Sequence, residues 1–307
     1  MPSSIPVLDY SRRDDPSWVR LLSAACRDWG CFQLVSHPFS QSQTTHLLTS
    51  MKQFFALPKQ DKYAIERTEK NPWGYYDREL TKNIRDWKEI LDIGPPANNG
   101  PFLGAKPQWP ASMPDLKDQL EEYFRGCEAL SLFLLKKIAE SLNTPAAVFT
   151  GGFAKEASSF LRLNYYPVCD EPDHHLGISP HSDSGALTVL FADQQPGLQF
   201  WHANNWHTVI PEPDALLVNI GDIVQVWSND VYTAPLHRVL ANKDAARYSA
   251  PFFLNPSYDY TYAPVLNEIT GDTPLYSAIN WGEFRHARAI GDYRDEGEEV
   301  QISHFKN

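Results

Sequence analysis

The chain has 307 residues, 42% hydrophobic and 21% charged, with a formal net charge of −11. That composition describes a globular protein long enough to bury a large core, and the acidic balance argues against nucleic acid, whose phosphates are met by basic faces. No run approaches 18 apolar residues, so no membrane span is expected, and the first residues lack a basic-then-apolar leader. Four cysteines, Cys26, Cys31, Cys127 and Cys169, show no metal-binding spacing and read as reduced thiols of a cytoplasmic protein. Nine Trp, 24 Pro and an aromatic content of 13% suggest a barrel or sandwich with many corners.

In chain order, residues 16–60 read as helical. Trp18, Leu21, Leu22, Ala25 and Cys26 keep helical spacing, as do Leu47, Leu48, Met51, Phe54 and Phe55. Between them the apolar run in 29–37 suits a short strand. Residues 94–114, rich in Pro and Gly, read as a loop. The longest helix is predicted from about Pro114 to Ser141, with Leu116, Leu120, Tyr123, Phe124, Cys127, Leu130, Leu134 and Ile138 on one face. Asp115 is its expected cap, and Pro145 lies just beyond its end. From about 160 the pattern turns β-rich, with strand-sized runs at 161–166, 187–191, 197–201, 206–210, 215–220, 223–228, 236–240 and 248–254. The expected organisation is a helical or mixed region over 1–110 and a β core over 111–307, forming one structural unit because no flexible linker joins them.

The sharpest chemical feature is His181-Ser182-Asp183. In extended chain, positions i and i+2 face the same side, so an imidazole and a carboxylate can meet one ion. His237, 54 residues beyond Asp183 in a β-rich run, is the best third ligand. Two imidazoles and one carboxylate on one face of an octahedron leave positions open, as non-haem Fe(II) oxygenases require; zinc takes the same donors. An H-x-D tripeptide alone is weak, given ten histidines. His174 and His175 sit in a Pro/Asp-rich turn, His202 and His207 flank a hairpin turn, and His37, His46, His286 and His304 lack an acidic partner at ligand spacing. A second feature, Arg247-Tyr248-Ser249, puts a guanidinium and a hydroxyl on one strand face, a pair able to grip a carboxylate. An exposed surface Arg is the bland reading of the same residues.

Together these residues make the chain resemble the Fe(II)- and 2-oxoglutarate-dependent dioxygenases of the group containing isopenicillin N synthase, anthocyanidin synthase and the plant and fungal dioxygenases. The resemblance runs over nearly the whole chain. It is carried by Ile5-Pro-Val-Leu-Asp9, Ala25-Cys-Arg-Asp-Trp-Gly-Cys-Phe-Gln-Leu-Val-Ser-His37, Phe54-Phe-Ala-Leu-Pro58 and Asp86-Trp-Lys-Glu89 in the first part. The core motifs follow in order: Asn164-Tyr-Tyr-Pro167, His181-Ser-Asp183, Pro196-Gly-Leu-Gln199, Val218-Asn-Ile-Gly-Asp222, Trp227-Ser-Asn229, His237-Arg-Val239 and Arg247-Tyr-Ser249. The chain departs from the family at His37-Pro38, where His-Gly is frequent, and at Tyr166-Pro-Val168, where Tyr-Pro-Pro is frequent; neither site supplies a ligand.

The resemblance implies a mainly β protein with α: a distorted double-stranded β-helix, or jelly-roll, core with supporting helices in the N-terminal half. It implies Fe(II) held by His181, Asp183 and His237, with 2-oxoglutarate and O2 as co-substrates and ascorbate as a candidate reductant. Arg247 and Ser249 match the pair that takes the distal carboxylate of 2-oxoglutarate, Tyr166 and Asn164 match its neighbours, and Phe253 matches a position where some relatives stack an aromatic substrate. Ordinary core packing is the other reading of Phe253. The implied reaction is oxidation of an unactivated C–H of a small organic molecule, by hydroxylation, desaturation or ring formation in secondary metabolism, with release of succinate and CO2. The expected partner is that small molecule, with neither nucleic acid nor membrane, and the expected state a monomer or weak homodimer. Residues 75–90 and the 281–307 tail are expected to line the access route. The rival readings are an oxidase of the same family that uses no 2-oxoglutarate, a non-catalytic jelly-roll binder, and a zinc-dependent hydrolase.

Overall fold

The structure, a computed structural model, describes residues 4–295 and 297–307. The strands are β1 (Val7–Asp9), β2 (Cys31–Val35), β3 (Gly74–Tyr76), β4 (Leu80–Thr81), β5 (Ile84–Arg85), β6 (Glu89–Ile93), β7 (Phe160–Tyr166), β8 (Leu176–His181), β9 (Leu187–Ala192), β10 (Leu198–His202), β11 (Asn205–Thr208), β12 (Leu216–Ile220), β13 (His237–Leu240), β14 (Arg247–Leu254), β15 (Thr261–Tyr262) and β16 (Ile279–Asn280). The helices are α1 (Pro16–Asp28), α2 (Gln41–Phe55), α3 (Lys59–Tyr63), α4 (Leu116–Ser141), α5 (Ala146–Thr150), α6 (Asp222–Trp227) and α7 (Trp281–Gly291).

Helix starts follow local chemistry. Asp15 caps α1 by accepting from Ser17 N, with Pro16 in the first turn, where a missing N–H costs nothing. Ser40 and Gln43 close a capping box on α2. Helix α4 presents Leu116, Leu120, Tyr123, Cys127, Leu130, Leu134 and Ile138 as its buried face, in steps of three or four residues that form one stripe. The expected Asp115 cap is not made: Asp115 has helical backbone angles and its side chain accepts no capping bond.

Eight strands form one sheet in the order β1-β2-β12-β9-β14-β7-β6-β3, and four form a second in the order β11-β10-β13-β8. This is the double-stranded β-helix expected. Between the sheets lies a small core containing Tyr166, Leu190, Leu217, Leu198, Phe200 and Val239. On the other face of the large sheet, alternate residues such as Leu216, Val218, Ala250 and Phe252 join the main core with α1, α2 and α4. Period-two alternation therefore divides each strand between helix-facing packing and a lining for the space between the sheets.

Seven of the eight expected β runs are strands. The run 223–228 is instead α6, with Ser228 as its C-terminal neighbour. Every residue of α6 is buried, so neither a helical nor a strand period shows in its sequence. Strand β8 was not expected, because Gly177 and Pro180 interrupt it; it lies at the sheet edge, where a missing N–H is tolerated. All four cysteines are buried and unpaired. No helix among the described residues is long and apolar enough to cross a membrane.

Candidate active site

The last residue of β8 is His181, and the first of β13 is His237; the two face each other in antiparallel register. Their ring centres lie 4.2 Å apart. Asp183 follows two residues after β8, and its Oδ1 lies 3.7 Å from His181 Nε2 and 3.6 Å from His237 Nε2. Among the described residues these three form the one group of His, Cys, Asp or Glu side chains able to share an ion, their ligand atoms lying within 4.8 Å of one another.

The remaining atoms of the three side chains fix that arrangement. His181 Nδ1 is 2.8 Å from Ser179 O, and His237 Nδ1 is 3.1 Å from Pro235 O. A carbonyl can only accept, so each Nδ1 carries the proton and each Nε2 presents a lone pair to the common point. Asp183 Oδ2 accepts from Asn219 Nδ2 at 2.8 Å and from the Thr188 hydroxyl. Burial, then the neighbouring His237, push the His181 imidazole well below its ordinary range, so it is neutral at pH 7. For Asp183, burial acts upward, but the two imidazoles and the Asn219 and Thr188 bonds outweigh it and hold the carboxyl below its usual value. Two imidazole nitrogens and one carboxylate are the donor set of an iron(II) or zinc site.

Two glycines let the Asp183 segment reach this point. A Cβ on Gly221 would lie 2.1 Å from Gly185 O, and one on Gly185 would lie 2.2 Å from Asn255 Oδ1. At Gly221, where the neighbour is backbone, only a residue without Cβ permits such approach. The gain is a pair of backbone bonds, Asp222 N to Asp183 O at 2.8 Å and Ile223 N to Gly185 O at 3.1 Å, which tie the carboxylate's segment to the start of α6.

The large sheet supplies the opposite wall. On β14 and β7, Arg247 pairs directly with Tyr166, and Ser249 with Asn164. All four side chains therefore share one face, as period two requires. The Arg247 guanidinium carbon sits 5.2 Å from the centre of the Tyr166 ring, and Asn164 Nδ2 donates to Ser249 Oγ at 3.4 Å. Arg247 is 4% exposed, yet its Nε and Nη1 have no hydrogen-bond partner, and Asn164 Oδ1 has none either. A buried guanidinium with empty donors is costly unless an anion meets it. The residues thus fit a carboxylate co-substrate.

The sequence-predicted residues His181, Asp183, His237, Arg247, Ser249, Tyr166, Asn164 and Phe253 all line one cavity, open to solvent. Phe253 stacks on Phe160, ring centres 4.6 Å apart. The rim is built where residues 75–90 and the tail were expected to stand: Leu80, Thr81, Arg285, Arg288 and Glu299 line it, and Leu80 N donates to Asp292 O at 3.1 Å.

Three functional elements escaped the sequence reading. Asn219 and Thr188 orient Asp183; a polar residue inside the apolar run 216–220 was the available signal for the first. Beneath the rim lies a buried charge network. Glu79 binds Arg67 at 2.8 Å, Lys88 at 2.5 Å and Arg162 at 2.8 Å, while Asp92 binds Arg67 and Arg162, each at 2.7 Å. Asp86 holds Lys88 at 2.9 Å. Arg285 and Arg288 on α7 were the third element: the 281–307 tail was expected at the access route, but neither arginine was singled out.

Residues 157–256 match the 2OG-Fe(II) oxygenase superfamily, and residues 5–115 match the family described as non-haem dioxygenase in morphine synthesis N-terminal. Jasmonate-induced oxygenase 4 of Arabidopsis thaliana is 34% identical over 292 residues, covering 92% of this chain and 81% of that relative. The crystal structure of JOX2 in complex with 2OG, Fe and JA is similar, with a TM-score of 0.84 and 29% identity over 98% of this chain and 88% of that one. So is a full-length Neurospora crassa protein in complex with alpha-KG and thymine, with a TM-score of 0.82 and 25% identity over 94% of this chain and 97% of that one.

Proposed function

Because the chain belongs to the 2OG-Fe(II) oxygenase superfamily, we propose that His181, Asp183 and His237 hold its iron and that Arg247 and Ser249 grip the distal carboxylate of 2-oxoglutarate. The observation that carries this reading is Arg247: two guanidinium donors, buried and unmet, in the cavity that also contains the His-Asp-His group. A dianionic co-acid satisfies them by charge-assisted bonds. Tyr166 backs the guanidinium, and Asn164 adds a polar neighbour through Ser249.

The enzyme is an Fe(II)- and 2-oxoglutarate-dependent oxygenase of small organic molecules. When bound, iron and 2-oxoglutarate supply, with O2, the oxidising power that converts a substrate C–H and releases succinate and CO2. The chain's own contribution is positional. The two Nδ1 bonds and the Asn219 and Thr188 bonds hold three ligands in place without rearrangement, while the opposite wall fixes the co-acid before substrate arrives. Phe253 and its partner Phe160 offer an apolar surface to the substrate. The outcome on the substrate is hydroxylation, desaturation or ring closure. The oxidase, binder and hydrolase readings are not favoured, since similar structures hold 2OG with Fe, or alpha-KG with thymine.

We propose a cytoplasmic enzyme, on the strength of its unpaired thiols, acting as a monomer or weak homodimer, with 1–110 and 111–307 as one unit, since both segments give strands to the large sheet. The test is succinate and CO2 release on adding Fe(II), 2-oxoglutarate and a metabolite library. His181→Ala and Asp183→Ala should each abolish it. Iron-dependent succinate formation at the wild-type rate in both variants overturns the ligand assignment.

A further inference from the structure

The charges around the cavity are unequal. Among the described residues its wall carries five cations, Lys88, Arg162, Arg247, Arg285 and Arg288, against three carboxylates besides Asp183, namely Glu79, Asp292 and Glu299. With Asp183 counted the wall holds five cations and four carboxylates, so what distinguishes a cation here is whether it has a partner.

Most of these cations are already engaged. Lys88 and Arg162 are held in the Glu79, Asp86 and Asp92 network. Arg288 pairs with Glu299 at 2.9 Å and also donates to Val300 O and Gln301 Oε1. Arg247 is assigned to 2-oxoglutarate. Arg285 alone remains: no hydrogen bond or ion pair joins it to any described residue. Asp292 feels its charge without pairing, and turns instead toward Arg67, at 3.9 Å. The guanidinium carbon of Arg285 lies 5.8 Å from the centre of the Phe160 ring, and Phe160 stacks on Phe253. One patch of the wall thus offers a free fork of N–H donors beside two apolar rings.

We propose that Arg285 is a specificity-determining residue that takes a carboxylate of the primary substrate, whose apolar body lies against Phe160 and Phe253. The substrate class is a small aryl or alicyclic carboxylic acid. A guanidinium meets a carboxylate through two parallel bonds, whereas an ester offers only neutral acceptors. The carboxylates near Arg285 do not oppose such an acid, since Glu79 and Glu299 are neutralised by their own partners and Asp292 faces Arg67. This deepens the oxygenase reading and rests on it, because that reading assigns Arg247 elsewhere.

The experiment measures binding, not turnover, in the full chain loaded with Zn(II) and 2-oxoglutarate. Phenylacetate, cinnamate and cyclohexylacetate are titrated by calorimetry alongside their methyl esters. The expected result is at least tenfold tighter binding of acids than of esters to the wild type. That ratio should fall toward one in Arg285→Gln and be partly kept in Arg285→Lys, which guards against loss through misfolding. Equal binding of acids and esters by the wild type, no binding of either, or an unchanged ratio in Arg285→Gln overturns the proposal. Failure of the underlying reading shows separately, as absence of 2-oxoglutarate-dependent succinate from the wild type.

Discussion

Asn219 donates to only one oxygen of Asp183, Oδ2, and so leaves Oδ1 as the oxygen that both histidines approach. The division of labour within one carboxylate sets which lone pairs reach an ion. Asn219→Ala should therefore weaken metal binding without unfolding the chain. Loss of an outer hydrogen bond to a ligand costs about 10–100-fold in metal affinity. Titration of the apoprotein with Co(II), followed by its visible spectrum, measures this; an affinity equal to wild type contradicts the assigned role.

Arg247→Ala removes the proposed anchor of the co-acid. A charge-assisted contact contributes up to about 3 kcal/mol, so the KM for 2-oxoglutarate should rise roughly 100-fold. Arg247→Lys keeps the charge but loses the fork and should fall between. Steady-state succinate formation against 2-oxoglutarate concentration gives the answer, and an unshifted KM in the Ala variant removes Arg247 from this position.

Glu79 accepts from Arg67, Lys88 and Arg162 at once. Glu79→Gln would leave that buried network one negative charge short. Removing one partner of a buried ion pair costs about 3–5 kcal/mol, so the urea midpoint should drop markedly. A change within about 0.5 kcal/mol, the range of an ordinary surface substitution, would mean that the network is solvated in solution.

Asp222 is buried, and burial, against the opposing charge of Arg288 and a hydrogen bond from Ser182, raises its pKa from 3.8 to about 6. The folded state thus holds this proton more tightly than the unfolded chain. Its contribution to stability is full below pH 3.8 and is lost as pH rises through 6. Asp222→Asn cannot ionise, so the variant's advantage over wild type should widen between pH 4 and pH 7 by up to about 3 kcal/mol. Urea melts of the metal-free proteins across this range measure the difference; one that stays constant with pH refutes the cause given.

Much of this was legible in the residues, for reasons that also explain what was not. Most of the residues proposed for iron and co-acid lie in short local motifs, so spacing alone put His181 beside Asp183 and Arg247 beside Ser249, whereas His237 joins them from a separate strand. Helix α4 was legible because one of its faces is buried and the rest is exposed. Helix α6 was not, because burial on all sides erases the period. Arg67, Lys88 and Glu79 are charged residues that sequence reads as surface; only the fold, by bringing β3 through β7 together, makes them an interior network. Arg285 carries no local signal, since its meaning depends on every other cation having found a partner.

The cavity takes its reactive floor from residues 164–249 and its rim from 79–81 and 285–299. The His-Asp-His group and Arg247 therefore lie on one stretch of chain, and much of the cavity mouth lies on another, later one. Substitution within 285–299 can reshape the mouth while the spacing of the groups on the floor stays intact.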